Sequence, residues 1–182
     1  MYYSDGNLVV DGPDATAGIW ATYPSKFLSQ GNGFGDQVFG TFLLLLCVRG
    51  ITDERNSNVP AYLAPFLIGL LVVNIGISFG FNCGYAINPA RDLSPRIFTA
   101  MCGYGADVFR YNQNRNYCHL IISQNSLNYP YDLGLNNNSD VLFSASNYWF
   151  YVPIVATHIG GILGSVFYDL LIGLHWPDAL PS

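Results

Sequence analysis

The sequence predicts an all-α membrane protein with three transmembrane helices and one re-entrant half-helix. Of its 182 residues, 51% are hydrophobic and only 10% are charged, whereas a typical soluble domain has roughly 25% charged residues. Three long apolar runs lie at about 34–50, 61–81 and 148–174, and roughly 20 apolar residues suffice to cross a bilayer core. A polar pentad, Asn-Pro-Ala-Arg-Asp at 88–92, follows the second run where hydrocarbon is expected.

Residues 1–33 and the first apolar run come first along the chain. Residues 1–33 are rich in Gly, Pro and Asp, a composition that predicts a connecting loop rather than a folded domain. The first run carries Asp36 near its start and Gln37 directly after it. An amide inside a helix bundle can bond backbone groups that a broken helix leaves free, so we expect Gln37 to have a supporting role.

The other two apolar runs share a pattern of small residues. Gly76 and Gly80 are four residues apart in the second run, and Gly160 and Gly164 are four apart in the third. Small residues at this spacing let helices approach closely in a membrane, so we expect helix packing at both places. The stretch between these runs at 110–147 is rich in Asn, Tyr and Ser, and its composition predicts a polar loop.

The pentad predicts a helix that starts inside the membrane. Asn88 can cap a helix, and Pro89 suits its first turn because no needed donor is lost there. We therefore expect a half-helix over about 89–101. Arg91 and Asp92 would lie at bilayer depth, where ionisable side chains usually mark a substrate or ion path. A helix that starts there points its positive end and free N–H groups into a cavity.

The pentad and its neighbours also carry a family resemblance. Residues 84–96, Gly-Tyr-Ala-Ile-Asn-Pro-Ala-Arg-Asp-Leu-Ser-Pro-Arg, resemble the second signature loop of the aquaglyceroporins, channels for glycerol and water. The resemblance covers roughly 15–109 and 148–177. Such channels consist of two inverted halves, which implies that 34–177 is the second aquaporin-like repeat. It further implies that 1–33 is an extracellular connecting loop and that 110–147 is an inserted extracellular loop.

The resemblance also implies roles for individual residues. The carbonyl groups of Gly84, Tyr85 and Ala86 would accept hydrogen bonds from solute, and Asn88 and Arg91 would donate them. Tyr85 would form the aromatic wall of the selectivity filter, and Gly76 would widen the pore by lacking a side chain. The remaining expected positions complete the signature or support its loop: Pro89, Ala90, Asp92 and Gln37.

The predicted function is passive diffusion of glycerol, water and other small neutral solutes, urea among them, across a cell membrane. The resemblance implies a multi-pass protein in the lipid bilayer and a homotetramer. Only one Asn-Pro-Ala occurs in the chain, so we expect conduction to be incomplete in this form. The alternative is a non-conducting chain that pairs with full-length channels and modulates them.

Composition and motifs exclude several other classes. The formal net charge is −5 without a Lys/Arg cluster, so we expect no nucleic-acid partner. No nucleophile–base arrangement, paired carboxylates or cofactor loop is visible, so we expect no enzyme, no catalytic residue and no cofactor. The four cysteines lack the spacing of a metal site. Asn137 begins a sequon for N-glycosylation, which could be used if the long loop is extracellular.

Overall fold

The protein is described from a computed structural model that covers residues 6, 8–11, 14–56, 58–109 and 149–176. These residues belong to two compact units, one of Met1–Ala21 with Pro95–Trp149 and one of Thr22–Ser94 with Phe150–Ser182. Every regular element in the described residues is helical, as the predicted fold class requires. The predicted loop at 110–147, the Asn137 sequon and Cys118 lie outside the described residues.

Helix α1 spans Gln30–Thr52 and therefore begins four residues before the apolar run at 34–50. The Ser29 side chain caps it by accepting a hydrogen bond from the Asn32 N–H at 3.2 Å, which satisfies one of the free donors of the first turn. A Ser cap can thus start a helix within a glycine-rich segment whose composition alone suggested a loop. The helix ends where Asp53 adopts an extended backbone.

Three further α-helices lie in the described part of the chain. Helix α2 spans Ala64–Cys83, helix α3 spans Pro89–Thr99, and helix α4 spans Tyr151–Leu171. Beyond α3, the five residues Ala100–Tyr104 form a wide π-type turn in which Gly103 has φ of 109°. The regular α-helix therefore ends at Thr99, and the left-handed backbone of Gly103 interrupts the helical path within the π-type turn.

Among the residues that the structure describes, three helical segments are long and apolar enough to cross a membrane: Gln30–Thr52, Ala64–Cys83 and Tyr151–His175. Their outward faces carry large apolar side chains. On α2, Ile77 and Phe81 are 82% and 81% exposed. Exposed apolar side chains along a helix face are typical of a helix that contacts lipid or another protein, and they are unusual for a helix in water.

In the second unit, α1 and α4 are in direct contact. Thr41 and Thr157, one on each helix, are both buried, and each hydroxyl donates to the carbonyl four residues earlier, of Gln37 and Pro153 respectively. The hydroxyl donors are thus satisfied inside their own helices.

An ionic cluster lies where α1 ends. Arg49 forms an ion pair with Asp169 of α4, and the Tyr168 hydroxyl donates to Asp53 at 3.0 Å. Side-chain and backbone hydrogen bonds from Arg55 hold the pKa of Asp53 below its ordinary value. These contacts fix the ends of α1 and α4 to each other on one side of the bundle.

In the first unit, the last residues of α3 and the residues that follow it contact the N-terminal segment and one another. The Thr16 and Tyr104 hydroxyl oxygens are 2.6 Å apart, and the ring centroids of Trp20 and Phe98 are 6.0 Å apart. Arg96 is fully buried, and its guanidinium donates to the Val108 carbonyl at 2.5 Å.

Candidate functional site

The stretch between α2 and α3 has an unusual backbone. Gly84 closes α2 in the left-handed region with φ of 80°. Tyr85 and Ile87 follow with φ of 40° and 42°. Positive φ is uncommon for a side chain of either type, and each such residue costs on the order of 1–3 kcal/mol. Backbone held in this way persists only where the surrounding structure fixes it.

Helix α1 supplies much of that fixation. Gln37 is buried; its Oε1 accepts from the Ile87 N–H at 3.1 Å, and its Nε2 lies 3.0 Å from the Cys83 Sγ. The neighbouring Asp36 accepts from the Asn82 amide at 2.8 Å and from the Cys83 thiol at 3.1 Å. Two adjacent residues of α1 therefore hold both ends of the strained stretch.

The start of α3 is capped by the Asn88 side chain, which immediately precedes the helix. The Asn88 Oδ1 accepts from the Ala90 N–H at 2.9 Å, and Pro89 occupies the first helical position, where its missing N–H costs nothing. With its oxygen used in the cap, Asn88 keeps its two amide N–H donors. The residue is exposed, so these donors are accessible.

Three of the predicted site residues are brought together around one aromatic ring. A Cβ placed on Gly76 would lie 2.9 Å from the Cζ of Tyr85, and one on Gly80 would lie 2.9 Å from its Cδ1. The Tyr85 ring therefore fills the space that the two α2 glycines leave. The guanidinium carbon of Arg91 lies 5.6 Å from the centroid of the same ring, within the range of a cation–π contact.

A strip of unpaired polar groups runs through this region. Within the described residues, no donor reaches the carbonyl oxygens of Gly84, Tyr85 and Ala86, and the Arg91 guanidinium has no hydrogen-bond acceptor. Three acceptors thus lie next in sequence to the donors of Asn88 and Arg91. Polar groups left without partners away from water cost free energy, which makes them natural contacts for a polar solute.

A cavity of about 650 Å³ opens beside the first residues of α3. Its wall is mostly apolar, with a few polar side chains, and Asn88 belongs both to this wall and to the polar strip. His158 also faces it, and its Nδ1 donates to the Ile154 carbonyl at 2.7 Å. The lining comes from α1, from α4 and from the residues that open α3: Thr41, Leu44, Leu45, Ile87, Asn88, Pro89, Thr157, His158, Gly161, Ile162, Ser165 and Val166.

Asp92 has a different environment from Arg91. It is fully buried, and its Oδ1 accepts from the Thr22 N–H at 2.7 Å and from the Thr22 hydroxyl. The carboxylate thus joins α3 to a loop residue 70 positions earlier in the chain. No periodic pattern in the sequence pairs Thr22 with Asp92, because a contact between residues so far apart in the chain does not repeat at a fixed spacing.

Comparisons with known proteins agree on one family. The profile described as "Major intrinsic protein" matches residues 7–168. The chain is 41% identical to Aquaporin-10 of Homo sapiens over 97% of its own length and 47% of that protein. It is 38% identical to Aquaporin-9 of Homo sapiens over 98% of its own length and 49% of that protein.

The chain is also similar to solved structures. The X-ray structure of the aquaglyceroporin from Plasmodium falciparum aligns with a TM-score of 0.62 and 27% identity, covering 84% of this chain and 49% of that one. The chain thus spans about half the length of the human relatives that it matches.

Proposed function

Because this chain belongs to the major intrinsic protein family, we propose that it forms all or part of a passive membrane channel for glycerol, water and other small neutral solutes. The observation that carries the proposal is the strip of unpaired carbonyl groups and donors from Gly84 to Arg91, next to the Tyr85 ring. No covalent step is involved, so the protein is proposed to be a channel and not an enzyme.

The chemistry of glycerol matches this strip. Its hydroxyl groups lie along one edge of a three-carbon chain, and the opposite edge carries only C–H groups. The carbonyl groups of Gly84, Tyr85 and Ala86 accept hydrogen bonds from the hydroxyl edge, and Asn88 and Arg91 donate to it. The Tyr85 ring provides an apolar wall for the other edge. A solute that keeps its hydrogen bonds during passage avoids the cost of desolvation.

The same site disfavours cations. Arg91 carries a permanent charge, and the N-terminus of α3 adds the positive end of the helix dipole. Within the described residues Arg91 has no carboxylate partner that would neutralise it. Neutral solutes cross such a barrier, whereas hydronium and metal cations are repelled.

The proposed location is a cell membrane, with α1, α2 and α4 as the crossing segments. A homotetramer is proposed from the family resemblance. The exposed apolar face of α2 supports a lipid or protein surrounding for this helix.

The test measures glycerol and water permeability of vesicles that contain the 182-residue chain or the longest natural polypeptide that includes it. Gly76→Trp is compared with the wild type, because a Trp side chain displaces the Tyr85 ring and narrows the path. We expect glycerol permeability to fall by at least about tenfold. Gly69→Trp is the matched control, since a Cβ there meets nothing within 4 Å, and we expect it to conduct like the wild type.

Two results would contradict the proposal. If Gly76→Trp leaves glycerol uptake unchanged, the Tyr85 ring does not line the solute path. Wild-type vesicles no more permeable than empty ones, for both polypeptides, would reject conduction and favour a modulating role, which co-expression with a full-length relative would then measure.

A further inference from the structure

The loop segment from Thr22 to Ser25 is tied to the exit of α2. The Ser25 N–H donates to the Asn82 carbonyl at 2.8 Å, and its hydroxyl donates to the Phe81 carbonyl at 2.6 Å. The last carbonyl groups of a helix have no partner inside the helix, so Ser25 satisfies two groups that α2 cannot. The segment is therefore anchored at one end of the strained stretch that begins at Gly84.

Thr22 contacts the stretch itself at its first residue. A Cβ placed on Gly84 would lie 3.0 Å from the Cγ2 of Thr22 and 3.1 Å from its Cβ. The backbone of Gly84 thus packs against the methyl side of Thr22. Gly84 also has φ of 80°, so both its conformation and the space around it require a residue without a side chain.

Thr22 reaches the other end of the stretch through Asp92. The Asp92 carboxylate is fully buried, and a buried carboxylate is tolerated only where hydrogen bonds replace its hydration. The backbone N–H and the hydroxyl of Thr22 both donate to it, and hydrogen bonds to a charged acceptor are stronger than neutral ones. Thr22 therefore provides two of the bonds that keep this carboxylate in place.

We propose that Thr22 is a positioning residue for the solute path, holding Gly84 on one side and, through Asp92, Arg91 on the other. Arg91 and Asp92 share a peptide bond in the first turn of α3, so the bonds that hold Asp92 also fix the backbone from which the Arg91 side chain extends. Glycerol has three hydroxyl groups and must form hydrogen bonds with several aligned groups of the path at once. Water is a single small molecule and needs fewer such partners. The inference rests on the proposed channel function, and it assigns to Thr22 an effect on glycerol that exceeds its effect on water.

The test compares three variants in the same polypeptide and vesicles. Thr22→Val keeps the branched shape and the backbone N–H but removes the hydroxyl donor. Thr22→Ser keeps the hydroxyl and removes the methyl group. Thr52→Val is the matched control, because the Thr52 hydroxyl donates only along α1, to the Val48 and Arg49 carbonyls at 2.9 and 3.5 Å, far in sequence from the site.

We expect Thr22→Val to lower the glycerol-to-water permeability ratio by about threefold to tenfold, the range that the net contribution of one typical hydrogen bond implies. Thr22→Ser should restore most of the ratio, and Thr52→Val should leave it unchanged. Amide hydrogen exchange at residues 93 and 94, whose N–H groups pair with the first carbonyl groups of α3, should accelerate in Thr22→Val alone.

The possible results distinguish a failure of the positioning role of Thr22 from a failure of the channel function. If the wild type conducts glycerol and Thr22→Val keeps the wild-type ratio, the positioning role is wrong and the channel function stands. If water and glycerol permeability fall together with the thermal stability, Thr22 is a structural residue only, which also contradicts the inference. If the wild type does not conduct, the channel function fails, and unchanged exchange at residues 93 and 94 in Thr22→Val would reject the positioning role independently.

Discussion

Two pairs of glycines with the same spacing have different uses in this molecule. On α4, a Cβ at Gly160 would collide with the backbone carbonyl oxygen of Val38, and one at Gly164 would collide with that of Phe42. On α2, a Cβ at Gly76 or Gly80 would meet only the side chain of Tyr85. The α4 glycines let two helix backbones touch, whereas the α2 glycines leave space for one aromatic ring.

The difference decides what each pair controls. A helix backbone cannot move away from an added methyl group without separating α1 from α4, because interiors are closely packed and transmit strain. An aromatic side chain can tilt by rotation about its own bonds. We therefore infer that Gly160 and Gly164 determine assembly of the bundle, and that Gly76 and Gly80 determine the shape of the proposed solute path.

The largest expected effect is that of Gly160→Ala. The added methyl group overlaps a backbone atom, so we expect a loss of about 3 kcal/mol in stability, at the upper end for overpacked cores, and a lower yield of folded protein. The measurement is the unfolding midpoint in detergent. A midpoint within one degree of the wild type would show that the backbones of α1 and α4 are not in contact there.

A smaller effect is expected for Gly76→Ala. The new methyl group would lie 2.9 Å from the Tyr85 ring, and tilting of the ring relieves most of the overlap. We expect a stability loss of about 1 kcal/mol with a fall in glycerol permeability that is larger than the fall in water permeability. Equal loss of both permeabilities would mean that the α2 pair, like the α4 pair, acts on assembly.

The smallest effect is expected for Gly161→Ala, which adjoins Gly160 on the same helix. Its Cβ would lie 3.6 Å from the Cγ of Leu45, an ordinary van der Waals contact. We expect the unfolding free energy to stay within about 0.5 kcal/mol of the wild type. A loss as large as that of Gly160→Ala would mean that any methyl group on α4 disrupts the bundle, and the contrast between neighbouring glycines would disappear.

Much of the fold could be predicted from the sequence. Apolar length alone indicated the helices that became α1, α2 and α4, and the cap signature of Asn88 and Pro89 indicated where α3 begins. The resemblance to the aquaglyceroporins is confirmed by the family match over residues 7–168 and by the similarity to the Plasmodium falciparum structure. These features are local or periodic, so they are visible in the order of the residues.

The contacts that shape the site could not be predicted in the same way. The left-handed backbone at Tyr85 and Ile87 contradicts the preference of both residue types, and part of what holds it is a hydrogen bond from the Ile87 N–H to Gln37, 50 positions earlier in the chain. The spacing of Gly76 and Gly80 indicated close approach but not that a side chain would fill the space. Asp92 was expected to shape the loop, yet no pattern indicated Thr22 as its partner.

The central claim is that the α2 glycines seat the Tyr85 ring beside the solute path. The most direct test is whether Gly76→Ala loses its effect in a Tyr85→Ala background, with stability and glycerol permeability measured on the single and double variants. Thr41→Ala combined with Gly160→Ala is the control, because removing that side chain leaves the backbone collision in place. We expect the effect of Gly76→Ala to vanish in the Tyr85→Ala background and the effect of Gly160→Ala to persist in the Thr41→Ala background. A Gly76→Ala defect of undiminished size without the Tyr85 ring would show that the α2 glycines do not position this ring.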